Sequence, residues 1–294
     1  MQPGLLVPIA FAALALAQQQ NSNVRFDAAT IRPSSAPSFG GANSPPAIQE
    51  TPDSVSYNGQ SLRSLIAIAH QVRKFQIEGP AWLDSERFDI VGKLPAGARQ
   101  EQSPAMLRSL LEERFGLKLR REVRHQSVYE ITVAKGGPKI GLNMTPSEFD
   151  VKQSKAPLSL ITKNKDGRMM FPVGVKGVYY EARTTWVRMF ANVQSMRDLA
   201  NLLSDRLGSL VVDETGLPGT YDFVLESATE KGKIQPPGMR PLPALIMTEA
   251  PVPLRDAAPL LEAVHDQLGL TLVKKKGTVD IFVVEHADKT PKEN

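Results

Sequence analysis

The chain has 294 residues, of which 41% are hydrophobic, enough to bury one large core or two small ones. It has no cysteine, which excludes a disulfide framework and any thiolate-held metal, so the fold must rest on its core. The 35 Lys and Arg against 31 Asp and Glu leave a formal charge of +4, a mild excess that permits acidic partners without pointing to nucleic acid.

In chain order, Leu5 to Ala17 is almost unbroken apolar and ends in Ala15-Leu16-Ala17, a small-x-small pattern just before Gln18-Gln19-Gln20. The run is too short to span a bilayer and has the form of a signal peptide over residues 1–17. No Lys or Arg precedes it and Pro8 interrupts it, so a buried N-terminal strand or helix stays open as the alternative. No later segment reaches the ~18 apolar residues of a membrane span, so the exported chain is expected to be soluble and secreted or periplasmic.

Val24 to Ile31 predicts a strand, followed by a Ser/Pro/Gly/Asn-rich loop to about Thr51. Ser61 suits a helix N-cap, and Leu62, Leu65, Ile66 and Ala69 fall on one helical stripe. Phe75 to Ile77 and Phe88 to Val91 read as strands around the turn Glu78-Gly79-Pro80-Ala81. Ser103-Pro104 predicts a cap and a proline in the first turn of a helix with Met106, Leu107, Leu110, Leu111 and Phe115 on its stripe, closed by Gly116. Leu117 to Val123 and Val128 to Ala134 then predict a hairpin. Gly136 to about Arg183 is connective in composition, rich in Lys, Gly and Ser.

The same grammar returns. Ser195 and Asp198 predict a capping box, with Met196, Leu199, Leu202 and Leu203 on the stripe and Gly208 at its end. Leu210 to Val212 and Tyr221 to Leu225 predict strands around the Leu217-Pro218-Gly219-Thr220 turn. After a proline-rich loop over 231–259, Leu260, Leu261, Val264 and Leu268 predict a helix ending at Gly269, and Leu270 to Val273 with Val279 to Val284 a last hairpin.

The recurrence is literal in places. Asn58-Gly59-Gln60-Ser61-Leu62-Arg63 returns as Asn192-Val193-Gln194-Ser195-Met196-Arg197, Phe88-Asp89-Ile90 as Tyr221-Asp222-Phe223, and Gly116-Leu117 as Gly269-Leu270. A duplicated unit is a packing solution used twice. The predicted fold is α+β: two tandem related units, each a small mixed sheet with two helices packed on one face. The units span 24–135 and 186–288, joined by an irregular insertion or linker over 136–185, with a solvated tail over 289–294.

Phe26 to Ser34, Ile77 to Leu83, Met106 to Leu119, Val133 to Lys139, Val212 to Phe223 and Gln267 to His286 together resemble a large paralogous family of exported acidobacterial (Solibacter-type) proteins of unknown function. The chain departs from it in small ways, with His70 where a tyrosine is usual. Some relatives look like domains fused behind membrane metallopeptidases of the antibiotic-sensor type, which implies sensing or binding. Each unit, Leu260 to Leu270 above all, is also similar to the short domains at the entrance of secretins and TonB-dependent receptors, modules that bind protein segments.

No catalytic constellation stands beside these features. His70, His125, His265 and His286 form no HxxxH or HExxH pair. No Gly-x-Ser-x-Gly elbow exists, and the hydroxyls of Ser61 and Ser195 are expected to be engaged in capping. Asp213-Glu214-Thr215-Gly216 reads as a strand-ending turn rather than an acid/base pair. Lys135-Gly136-Gly137-Pro138-Lys139 lacks the following helix that a phosphate loop needs. Basic strips at Lys118, Arg120, Arg121 and Arg124 and at Lys274, Lys275 and Lys276 read as solvated hairpin faces, or alternatively as a grip on anionic polymer. Trp82 and Trp186 read as core or half-buried anchors.

The reading is therefore an exported, non-catalytic binding or sensing module for a protein or peptide, with no catalytic, cofactor or metal residue assigned and no cofactor. The alternatives are an envelope or extracellular hydrolase with its site between the units, and a structural protein binding anionic envelope polymer through the basic strips.

Overall fold

A computed structural model describes residues 24–34, 48–141, 144–147, 162–163, 169–170, 176–182, 185–229 and 257–293. The expected signal peptide over 1–17 and most of the loop over 231–259 lie outside the described residues. The α and β mixture is as predicted. The first antiparallel sheet holds β1 (Ala28–Pro33), β2 (Ile48–Thr51), β3 (Ser54–Ser61) and β5 (Arg87–Lys93), in the order β1-β5-β3-β2. A second antiparallel sheet runs β10-β11-β13-β7, from β7 (Met144–Pro146), β10 (Gly177–Ala182), β11 (Trp186–Gln194) and β13 (Tyr221–Ala228). Read from the hairpin strand inward, both sheets have the same order. The stretch 136–183, read as connective, thus supplies β7 and β10; the pair Thr162–Lys163 and Met169–Met170, β8 and β9, stands apart.

Each repeated motif has a structural task. Between Tyr57 and Gln60 the register shifts, Gly59 takes φ 58°, and its N–H donates to Asp89 Oδ1 at 2.6 Å. Between Ala191 and Gln194 the same bulge recurs, with Val193 at φ 53° and its N–H donating to Asp222 Oδ1 at 2.7 Å. Gln60 Nε2 and Gln194 Nε2 donate to the carbonyls of Asn58 and Asn192, at 3.1 and 2.9 Å. The bulge turns the chain out of its strand and delivers the following serine as a helix N-cap. Ser61 caps α1 (Leu62–His70), and Ser195 with Asp198 forms the expected capping box on α4 (Met196–Leu207).

The helix stripes are buried as predicted in α1, in α3 (Ser103–Phe115) and largely in α4. The one-turn α2 (Trp82–Ser85) adds Leu83 to the first core, and α5 (Leu260–Ala263) continues as a wider π-helical turn over Val264–Leu268. Two expectations fail locally. Ser103 does not cap α3, because the N-cap is Gln102 and the buried Ser103 hydroxyl bonds Tyr57 instead. Leu261, placed on the stripe of α5, is 40% exposed.

The largest correction concerns the closing hairpins, which do not exist. Lys118–Val133 is one strand, β6, and Leu270–His286 is one strand, β14, paired antiparallel with each other from Leu270 opposite Val133 to His286 opposite Lys118. At about 3.3 Å per residue this ribbon is roughly 50 Å long. Two short strands flank it in parallel: β4 (Ile77–Glu78) beside β14 at Phe282 and Val283, and β12 (Val211–Asp213) beside β6 at Tyr129 to Ile131. Among the described residues, parallel pairing between strands is confined to this sheet, with one isolated parallel bridge, Ile140 to Met144, outside it. Each core is therefore not one small mixed sheet under two helices, as expected, but an antiparallel sheet, its helices and one end of a ribbon common to both.

One core gathers α1, α3, β3 and β5 against Leu119, Phe282 and Val284; the other gathers α4, α5, β11 and β13 against Ile131 and Leu270. The ribbon also caps crosswise. β6 leaves α3 at Gly116, and the turn beyond its far end satisfies the end of α5: Ala134 N–H donates to Gly269 O and Lys139 N–H to Leu268 O. β14 leaves α5 at Gly269, and beyond it Asp288 N–H donates to Phe115 O and Lys292 N–H to Arg114 O. Helix-end carbonyls need such partners. The tail expected in solvent is in this way tied to α3.

Candidate strand-edge interface

The ribbon's geometry decides which backbone groups face outward. In an antiparallel pair alternate residues turn their N–H and C=O toward the partner and the rest turn theirs away. Tyr129 N–H donates to Leu210 O, and Ile131 O accepts from Glu214 N, both on the side away from β14. The odd-numbered residues of β6 therefore face out, and stepping back by twos reaches Ser127, His125, Val123 and Arg121. On β14 the carbonyl of Asp280 faces out and accepts Gln76 Nε2 at 2.9 Å, so the even-numbered Thr278, Lys276 and Lys274 face out as well.

Both outer edges are then closed in equivalent ways. Ser209 Oγ donates to Ser127 O at 2.8 Å on one side, and Gln76 Nε2 holds Asp280 O on the other. Past these caps no strand among the described residues pairs with the outer side of Arg121 to His125 or of Lys274 to Thr278. Both stretches are mostly exposed, with Val123 at 64% exposure, unusual for a valine inside a strand.

The side chains beside these edges differ in charge. Arg120 pairs with Glu122 and Glu285, Arg121 grips Asp280 through two bonds at 2.9 and 2.7 Å, and Arg124 pairs with Glu78 and Glu122. The two guanidinium groups bonded to Glu122, Arg124 first and then Arg120, pull its carboxyl below the usual range. On β14, Lys275 pairs with Glu130, whereas Lys274 and Lys276 are exposed and make no ion pair among the described residues. The two basic strips read from the sequence are thus unequal: carboxylates hold all three arginines of the first, leaving Lys118 without an ion pair among the described residues, whereas two of the three lysines of the second are in that state.

A second junction links the two cores at the ends of α1 and α4. Arg73 Nη1 lies 3.0 Å from Asp205 Oδ2, with Lys74 beside it. Burial raises the Asp205 carboxyl despite Arg73 and lowers the Lys74 ammonium, so this contact contributes position more than energy. Close by in sequence, His70 packs at 46° to the Phe282 ring with centroids 5.2 Å apart, and burial followed by the Arg108 charge lowers it to about 4.

The remaining sequence candidates do not converge. His125 stands exposed on the ribbon, His265 contacts Asp266 at 2.9 Å, and His286 contacts Asp288 at 3.3 Å. Among the described residues no three of His, Asp and Glu lie close enough together to hold a metal ion. Asp213 Oδ1 accepts from Thr215 N at 3.0 Å and from its hydroxyl at 2.8 Å, the self-bonded turn expected of that motif. The Lys135–Lys139 loop spends its amides on Ala134 and Leu268 carbonyls, and Lys139 Nζ binds Asp266 O. Trp82 is half-buried under Lys289, and Trp186 is buried beneath Arg188.

Two separate hairpins, the sequence expectation, would leave no such outer edges; the single ribbon creates them. The signal was present. Val123 to Val128 contains no Gly, Pro, Asn or Asp to make a turn. Gly277 is a residue type that suits a turn, but a Cβ there would meet Val128 Cγ2 at 2.7 Å, so close side-chain approach within a continuous strand explains it.

No curated protein and no solved structure matches the chain. Residues 63–287, which include both helix pairs and the whole ribbon, match the model of a family described as protein of unknown function (DUF3738), and the chain belongs to that family.

Proposed function

We propose that the chain is an exported, non-catalytic binding or sensing module that recognises a protein or peptide by adding an extended segment to an open edge of the β6·β14 ribbon. The observation that carries this reading is the pair of stretches, Arg121 to His125 and Lys274 to Thr278, whose outward backbone groups meet no strand among the described residues. Strand addition uses such groups for affinity and alternate side chains for selectivity. Three outward residues offer about six backbone hydrogen bonds at a net ~1 kcal/mol each. Association itself costs ~4–15 kcal/mol, so side-chain contacts must supply a substantial share.

The chain is, on this reading, a doubled α+β unit whose halves have exchanged their last strands. The matched sheet orders, the paired bulges at Gly59 and Val193 and the crosswise capping support it. The likeness to secretin and TonB-receptor entrance domains and to exported acidobacterial proteins accords with it, as does the signal-like sequence over 1–17. Anionic polymer is less well served, because Arg120, Arg121 and Arg124 already hold carboxylates.

Amide chemical-shift mapping with a panel of unrelated extended peptides tests the proposal. Shifts should concentrate on the outer-edge amides of β6 or β14, and a peptide methylated at alternate backbone nitrogens should lose binding. Shifts concentrated elsewhere, or indifference to methylation, would overturn it.

A further inference from the structure

We infer that β14 carries the working edge and that it takes an acidic extended segment with carboxylates at alternate positions; this rests on the strand-addition reading above. The two edges share geometry but not charge. On β6, the outward Arg121 is already bonded to Asp280 by two hydrogen bonds, which leaves Val123 and His125 as the side chains nearest the gap. On β14, Lys274 and Lys276 are exposed and lack ion pairs among the described residues, and Thr278 follows them.

Residues two apart in a strand lie on one face about 6.6 Å apart, so the two free ammonium groups share a face and a spacing. A strand laid alongside presents its own alternate residues at the same interval. Opposite charges facing across strands favour the pairing and like charges oppose it. The register is set as well. Gln76, bonded to Asp280 O, stops the incoming segment at one end of the gap, and the outward backbone of Thr278, Lys276 and Lys274 lies immediately past it. The exposed Val273, the residue just before this stretch, lies on the opposite face from the two lysines and offers contact to an apolar residue between the acidic ones.

A lysine-rich edge also discourages edge-to-edge pairing between copies of the chain. That effect and acidic selectivity have one cause, since a positive edge rejects a second positive edge and admits a negative strand.

Fluorescence anisotropy with four labelled octapeptides separates the outcomes: alternating Glu–Val, Lys–Val and Ser–Val, and a Glu–Val peptide methylated at alternate backbone nitrogens. The protein is used whole, as wild type, as the double variant Lys274→Glu/Lys276→Glu, and as Arg99→Glu, a charge change at an exposed position distant in sequence from the ribbon. The Glu–Val peptide should bind wild type and Arg99→Glu alike and lose about tenfold or more on the double variant. The Lys–Val peptide should gain on that variant, which a misfolded protein could not produce. If Ser–Val binds wild type as well as Glu–Val and the double variant changes neither, the charge inference falls while strand addition stands. If the methylated Glu–Val peptide binds as well as its parent, or no peptide binds, both fall.

Discussion

The Asp222 carboxylate accepts the backbone N–H of Val193 at 2.7 Å and holds that valine at φ 53°, in the left-handed region. A β-branched residue rarely goes there, and the first copy of the bulge uses Gly59. Val193 is completely buried, so its packing offsets the backbone strain. Replacing Asp222 by Ala removes the acceptor while the strain remains, and should cost about 1–3 kcal/mol in chemical denaturation. Asp222→Asn, which keeps an acceptor oxygen, should cost distinctly less. Equal losses in the two variants would show that this bond does not hold the bulge.

Gly269 and Gly208 both end helices in the left-handed region, at φ +68° and +60°, but their surroundings differ. A Cβ on Gly208 would meet nothing within 4 Å, whereas one on Gly269 would lie 2.3 Å from Gly137 O. Gly208→Ala should therefore cost only the backbone term, about 1–2 kcal/mol. Gly269→Ala should cost clearly more, because it also forces the Lys135–Lys139 cap off the end of α5. Thermal unfolding of the two variants in parallel checks the ranking.

His70 should make the protein sensitive to mild acid. In the folded chain burial and Arg108 lower it to about 4, against an unfolded value of 6.5. The unfolded state thus binds the proton first, so the His70 contribution is complete above pH 6.5 and drains as pH falls toward 4. Because the ring is only partly buried, the loss is discounted to on the order of 1 kcal/mol. A His70→Phe variant should show a flatter stability profile across that window, measured by denaturant midpoints. A profile unchanged from wild type would remove His70 from the account.

The crosswise caps predict that the C-terminal tail stabilises α3. Asp288 N–H bonds Phe115 O and Lys292 N–H bonds Arg114 O, both at 2.7 Å, and Arg114 Nη1 returns a bond to Lys292 O. Ending the chain after Ala287 should lower the free energy of unfolding by about 1–3 kcal/mol. Hydrogen exchange should quicken in the last turn of α3 before it does in α4. Uniform loss of protection would instead indicate a global effect.

What was legible in the sequence were the patterns that obey one local rule. The stripes Leu62, Leu65, Ile66 and Met106, Leu107, Leu110 are buried because a 3.6-residue period is decided within the helix itself. The caps at Ser61 and Ser195 follow for the same reason. Pairing was not legible, because it depends on a partner more than a hundred residues away. Residues 117–134 and 270–284 alternate equally well as hairpins and as single long strands; only their mutual pairing selects the second. β7 was hidden because three residues, Met144-Thr145-Pro146, carry no period, and Leu261 because its apolar character is not used for burial. The candidate interface depends on pairing and so was overlooked with it.

Residue-resolved amide hydrogen exchange on the free protein tests the open-edge geometry most directly. Open edges predict a period of two through the middle of the ribbon: fast exchange at Arg121, Val123 and His125 and at Lys274, Lys276 and Thr278, and slow exchange at the residues between them. Slow exchange at every one of those six amides would mean that the edges are already paired, and would contradict strand addition at its root.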